Sequence, residues 1–181
     1  MEKDVATKVA RRFGTQPVSF NSSVEEIVKD SSEFCRGVLM DFTLLKQQIA
    51  AVNKAFYDRV YRDPWLGKVF ANVRQEHIES QQTDFMLGAY GGPKNYSGRS
   101  PSDAHPHIFV DEEMWQLREK FLKEAFVETK FPEELQARWI KIDEAFKRAI
   151  VKGSFEDCKK RFTMDEIIYY PGPSSTQKKV G

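Results

Sequence analysis

Two polar side chains on apolar faces and a pair of closely spaced histidines are the groups in this 181-residue chain whose types and spacing could do chemistry. Gln82 lies four residues after Ile78 and four before Met86, so helical geometry sets its amide in the middle of an apolar stripe. A buried amide there either bonds a neighbouring group or aims into a pocket. Tyr57 follows Phe56 and precedes Val60 by three residues, which puts it on or beside the inward face of another helix, where a buried hydroxyl needs a partner. His105 and His107 fall in Ala104-His105-Pro106-His107-Ile108-Phe109-Val110, an apolar segment in which one imidazole could be a satisfied core group and the other a surface one. Zinc is poorly matched, because a structural site wants four Cys or His ligands and Cys35, Cys158 and His77 share no suitable spacing with this segment. The same cysteines form no disulfide framework.

The elements that must position these groups read as helices. Leu135, Trp139, Ile142, Phe146, Ala149 and Ile150 recur at steps of three and four, predicting a helix over 132–152 with Pro132 in its first turn and Gly153 as its stop. Met114, Leu117, Phe121, Leu122, Ala125 and Phe126 predict another over 111–128, opening at Asp111, and the two should pair as an antiparallel hairpin. Leu45, Ile49, Val52, Phe56 and Val60 mark a third over 43–62, ended by Asp63-Pro64 and followed by a short turn to Phe70. Asn72 caps a fourth, over 73–90, whose inner face carries Ile78, Phe85, Met86 and Ala89 and which Gly91-Gly92-Pro93 breaks. Residues 93–110 show no sustained period, and such long irregular segments are often functional. Ser22 or Ser23 with Glu25 or Glu26 signals a pre-helix to about Cys35 behind an arm over 1–21. The division expected is therefore 1–37 as arm and pre-helix, 38–153 as the main domain and 154–181 as an extension that starts with a short helix and ends in ten disordered residues.

Lys and Arg total 28 against 27 Asp and Glu, so no basic footprint for nucleic acid is present. Apolar runs fall far short of a bilayer span and no signal-peptide centre is visible, which makes cytoplasmic residence the default expectation. Fourteen Phe with 6 Tyr and 3 Trp, against only 10 Gly and 8 Pro, favour a helical protein with an aromatic interior. One neutral imidazole suffices to hold a haem iron where the surrounding pocket is apolar and flat-walled, so the aromatic content has a use. No Cys-x-x-Cys-His is present for covalent attachment.

Gly91-Gly92-Pro93-Lys94-Asn95-Tyr96-Ser97-Gly98-Arg99 followed by Ala104-His105 resembles the corresponding segment of the truncated haemoglobins. In that family a glycine pair ends one helix, an aromatic and a glycine follow, and Ala-His supplies the proximal haem ligand. The interval from Tyr96 to His105 is similar to that of the group I, or N-type, members. Ala55-Phe56-Tyr57-Asp58-Arg59-Val60 resembles the family's Phe-Tyr element, Asp63-Pro64 to Val69-Phe70 resembles the turn carrying its haem-packing Phe70, and Ile78 and Gln82 match its two distal-helix positions. The resemblance covers residues 40–150. It departs from the pattern at Asp41-Phe42-Thr43, where members carry a glycine pair, at Pro101, often methionine, and at Arg118, commonly an apolar residue packed on haem.

The resemblance implies an all-α, two-over-two helical sandwich that binds haem b without covalent attachment. His105 becomes the iron ligand, with His107 as its rival; Phe70, Ile78, Phe85 and Tyr96 become haem contacts, and Tyr57 and Gln82 become the donors over the sixth iron site. A one-residue slip would bring His77 over the iron. Oxygen, carbon monoxide and nitric oxide are the ligands this site implies, and conversion of nitric oxide and oxygen to nitrate, with an external electron donor or reductase, is one use of it. A haem-based gas or redox sensor, with the terminal extensions as output, is the alternative.

Overall fold

A computed structural model describes residues 41–174, and the predicted arm and pre-helix, like residues 175–181, lie outside that range. Asp41 opens the first helix, α1 (Phe42–Arg62), by accepting the backbone N–H groups of Thr43 and Leu44. Asp63 ends α1 and starts α2 (Leu66–Val69), its Oδ1 taking the N–H groups of Trp65 at 2.9 Å and Leu66 at 2.7 Å. The helix α3 (Gln75–Ala89) begins after Arg74 rather than at Asn72. The reason is that tight turns continue beyond α2, with Ala71 N–H bonded to Lys68 and Val73 N–H to Phe70, so Asn72 is spent inside a turn. At the far end Gly91 takes φ 87°, a left-handed conformation glycine adopts at no steric cost, and Gly92 N–H returns to Leu87 O.

A short helix, α4 (Pro101–Ala104), lies inside the stretch that shows no period; four residues are too few to display one, and Ser100 caps it. Asp111 caps α5 (Glu112–Thr129), and α6 (Glu133–Ile150) follows after Lys130 in the left-handed conformation. Pro132 sits one position outside α6, as its N-cap residue, and the helix ends at Val151 in extended backbone before Gly153 is reached. Val151 leaves early because Lys152 N–H bonds Val110 O at 2.8 Å and Val151 pairs with Val110 in a parallel bridge. A single 3-10 turn, Phe155–Asp157, begins the C-terminal segment.

The helix α1 packs on both α3 and α5, and α4 packs on α6. The helices α5 and α6 run antiparallel, as Glu112 meets Lys147 at 2.9 Å, Arg118 meets Asp143 and Phe126 meets Trp139 with centroids 5.5 Å apart. This is the two-over-two arrangement of an all-helical fold, with no strands among the described residues and only isolated bridges. Ile49, Val52, Met86, Leu122, Trp139 and Ile142 are sealed in its core, where each fully buried large side chain stabilises by about 1.5–3 kcal/mol. No helix among the described residues is long and apolar enough to cross a membrane.

Candidate functional site

The helical period of α1 delivers Tyr57 to the interior, where it is buried between Phe56 at 4.8 Å and Phe70 at 5.9 Å, both edge-on, with Tyr61 beyond. Burial pushes its phenol above the ordinary value, so it remains a protonated donor across physiological pH. Its hydroxyl makes no hydrogen bond among the described residues. Gln82, half-buried in the middle of α3, likewise leaves its amide without a hydrogen bond among those residues. A polar group in such a place carries unspent hydrogen-bonding capacity.

Ile78 and Phe70 are half-buried and pack against the core beside these groups. Phe85 is buried, with Tyr96 at 5.2 Å and Phe146 at 5.9 Å. Tyr96 folds back over Gly98, where any side chain would collide with the ring, and donates its hydroxyl to Arg99 O at 2.6 Å. His77 is exposed on the outer side of α3, and no register slip brings it inward.

His105 ends α4, and its Nδ1 lies 2.6 Å from Pro101 O. A carbonyl only accepts, so Nδ1 carries the proton and Nε2 keeps the free lone pair. Burial pushes the His105 imidazole down to about 4, and the nearby charges of Lys152 and Arg118 add to the effect. The ring is therefore neutral at pH 7, the form that coordinates metals. His107 is buried, whereas His105 keeps part of its surface exposed; the Nδ1 of His107 is unpartnered, and burial followed by the charge of Arg161 lowers its basicity. The charged groups acting on it come mainly from the C-terminal segment, whereas His105 and Tyr57 both lie in the field of Arg118.

Arg118, which stands where the family commonly has an apolar residue, is half-buried and takes Asp143 of α6 as its carboxylate partner. Its guanidinium lies 5.4 Å from the Phe56 ring centroid and 5.2 Å from that of Trp115. Burial raises the Asp143 carboxyl and the arginine opposes it. Sequence reasoning missed this pair, as it missed the bond from Asn53 Nδ2 to Thr83 Oγ1, 3.0 Å long and buried between α1 and α3. It also missed the contacts of the C-terminal segment, in which Gly172 is buried against Trp65 and the exposed Ser174 bonds Glu113; the rest of the end expected to be disordered lies outside the described residues. Ile167-Ile168-Tyr169-Tyr170, a β-branched and aromatic run, was the available signal.

The family profile of bacterial-like globins matches residues 41–152. Group 1 truncated hemoglobins of Tetrahymena pyriformis and Tetrahymena thermophila are each 38% identical to this chain over 50 residues, 28% of this chain and 41% of the relative. The chain thus matches about two-fifths of the length of these curated relatives. A fold of helices crossed two over two, an internal neutral histidine and a profile match over most of the described residues give one conclusion: the chain belongs to the bacterial-like globin family, the truncated haemoglobins, whose members' cofactor is haem.

Proposed function

We propose that the chain holds haem through His105 Nε2 and uses Tyr57 and Gln82 as donors to a small diatomic ligand on the other side. The observation that carries this reading is the 2.6 Å contact of His105 Nδ1 with Pro101 O, which commits Nδ1 as a donor and leaves Nε2 as the nitrogen for a metal. The residues fit the group, because a neutral imidazole stands on one wall and two polar side chains with unspent donors stand on the other. Haem, when bound, supplies a ferrous iron that takes oxygen, carbon monoxide or nitric oxide reversibly. Phe70, Ile78, Phe85 and Tyr96 supply the apolar contact and exclude water, and His107 stays outside the ligand set. The Tyr57 hydroxyl and the Gln82 amide donate to a ligand that draws negative charge, the arrangement that slows its loss. Combining oxygen and nitric oxide to nitrate is the enzymatic use that this donor pair favours, and it requires an electron from an external donor or reductase.

The test is the absorption spectrum of haem-loaded protein, ferric and then reduced under carbon monoxide, for wild type and His105→Ala. An intense Soret band with a histidine-ligated carbon monoxide form, lost in the variant, is expected. A folded wild type without a Soret band, or a variant with an unchanged spectrum, overturns the assignment.

A further inference from the structure

The loop that carries His105 is gripped along both edges. On one edge Val110 O accepts the Lys152 N–H at 2.8 Å. On the other, the C-terminal segment runs parallel to it: Lys159 N–H bonds Pro106 O at 2.8 Å, Ile168 N–H bonds His107 O at 2.8 Å, and Phe109 N–H bonds Ile168 O at 2.9 Å. Beneath the loop the Lys152 ammonium uses its three donors on three carbonyls, Ile108 O at 2.8 Å, Ile150 O at 2.9 Å and His105 O at 3.1 Å. The segment ends on the distal side, where Trp65 Nε1 donates to Tyr170 O at 2.8 Å, in the corner just ahead of Phe70. A four-residue helix such as α4 cannot orient a side chain by periodic packing of its own. The Pro101 carbonyl fixes the rotation of the His105 ring, and the position of both residues comes from what holds their main chain.

We propose that Lys152 and residues 159–170 form a positioning clamp for the His105 loop, Lys152 acting as the pin beneath it and the segment as a strap across it. This inference rests on the reading of His105 as the haem ligand. The clamp sets the height and tilt of the imidazole through the carbonyl of His105 and the main chain on either side of His107. Because the strap also reaches Trp65, it ties the proximal loop to the wall that carries Phe70 and Tyr57.

The test uses the full chain loaded with haem, in wild type, Lys152→Met, Lys152→Arg, Ile168→Pro and Ile168→Ala. Proline removes the N–H donated to His107 O, whereas alanine keeps it. Three measurements are made: haem transfer to an excess of a scavenging apoglobin, the iron–histidine stretching band of the ferrous protein by resonance Raman, and the melting of the apoprotein. Lys152→Met and Ile168→Pro should lose haem on the order of 10-fold faster, in line with removal of partners that orient a metal ligand, and should shift the stretching band. Lys152→Arg and Ile168→Ala should stay near wild type. Unchanged loss rates in both disruptive variants overturn the clamp, and so does faster loss that tracks apoprotein melting while the band stays put. If Ile168→Pro fails to fold, Lys152→Met against Lys152→Arg decides alone. A His105→Ala variant that keeps the histidine-ligated spectrum sinks the ligand reading itself, whereas its expected loss beside unaffected Lys152→Met sinks only the clamp.

Discussion

The two sides of the proposed haem site, a distal wall and a proximal one, are built by different means. The distal wall stands on α1 and α3, long helices whose period alone brings Tyr57, Ile78 and Gln82 to one side. The proximal wall is a loop with a four-residue helix, held by main-chain bonds to the exit of α6 and to a segment some sixty residues further along the chain. Side chains on a helix inherit direction from a repeating backbone, whereas a loop side chain points wherever its distant anchors hold it. Arg118 and Asp143 lie where the two walls meet, since both Tyr57 and His105 feel the arginine's charge.

That junction offers the sharpest way to break the arrangement. Arg118→Leu leaves Asp143 buried without its partner and should reduce stability by about 3–5 kcal/mol in chemical denaturation, while adding Asp143→Leu should restore most of the loss. Recovery failing in the double variant would mean that the pair does more than neutralise itself.

Acid should strike the proximal wall first. The folded apoprotein holds His105 near 4, below the ordinary value of 6.5, so between those pH values the unfolded chain binds a proton that the folded chain refuses. Stability contributed by the neutral ring is complete above about 6.5 and is lost as pH falls toward 4, by up to about 3 kcal/mol. Denaturation midpoints of the apoprotein measured across this window should fall accordingly, and a flat profile would show the imidazole to be better solvated than its surroundings indicate.

The distal wall is probed without touching the loop. Tyr57→Phe and Gln82→Ala each remove a donor to a charge-bearing ligand, about 1.5–3 kcal/mol, and should speed oxygen release and autoxidation measured by stopped flow. Unchanged rates in both would remove these residues from the ligand's surroundings. The smallest expected effect is at the strap: a Cβ on Gly172 would lie 2.9 Å from the Trp65 ring and 2.8 Å from Glu113 Oε2. Gly172→Ala should therefore lower the melting transition through overpacking of about 1–3 kcal/mol, and an unaltered transition would show that the strap's end lifts away freely.

Much of the helical frame was legible beforehand because Leu135 to Ile150 and Leu45 to Val60 repeat at the spacing of a helix, and because Asp111 is a good cap, whereas the Asp41 cap of α1 went unread. The start of α3 was misplaced at Asn72 because a cap-forming residue in a tight turn has the same signature as one at a helix start. Tyr57 and Gln82 stood out as polar residues on apolar stripes, and neither has a hydrogen-bond partner among the described residues. Lys152 was opaque, since a charged residue in a sequence reads as surface unless its distant partner is known, and Arg118 stood out only as a departure from the family's pattern, its partner Asp143 unread.

The sequence by itself determined where the four long helices lie to within a few residues, which faces are apolar and which few polar groups stand out on them, because these depend on interactions within a few residues. Tertiary structure alone decided that Asp143 meets Arg118, that Lys152 reaches three carbonyls, and that residues 159–170 lie along the His105 loop. Those contacts join positions far apart in the chain, and no local periodicity encodes a hydrogen bond that exists only after the core has closed.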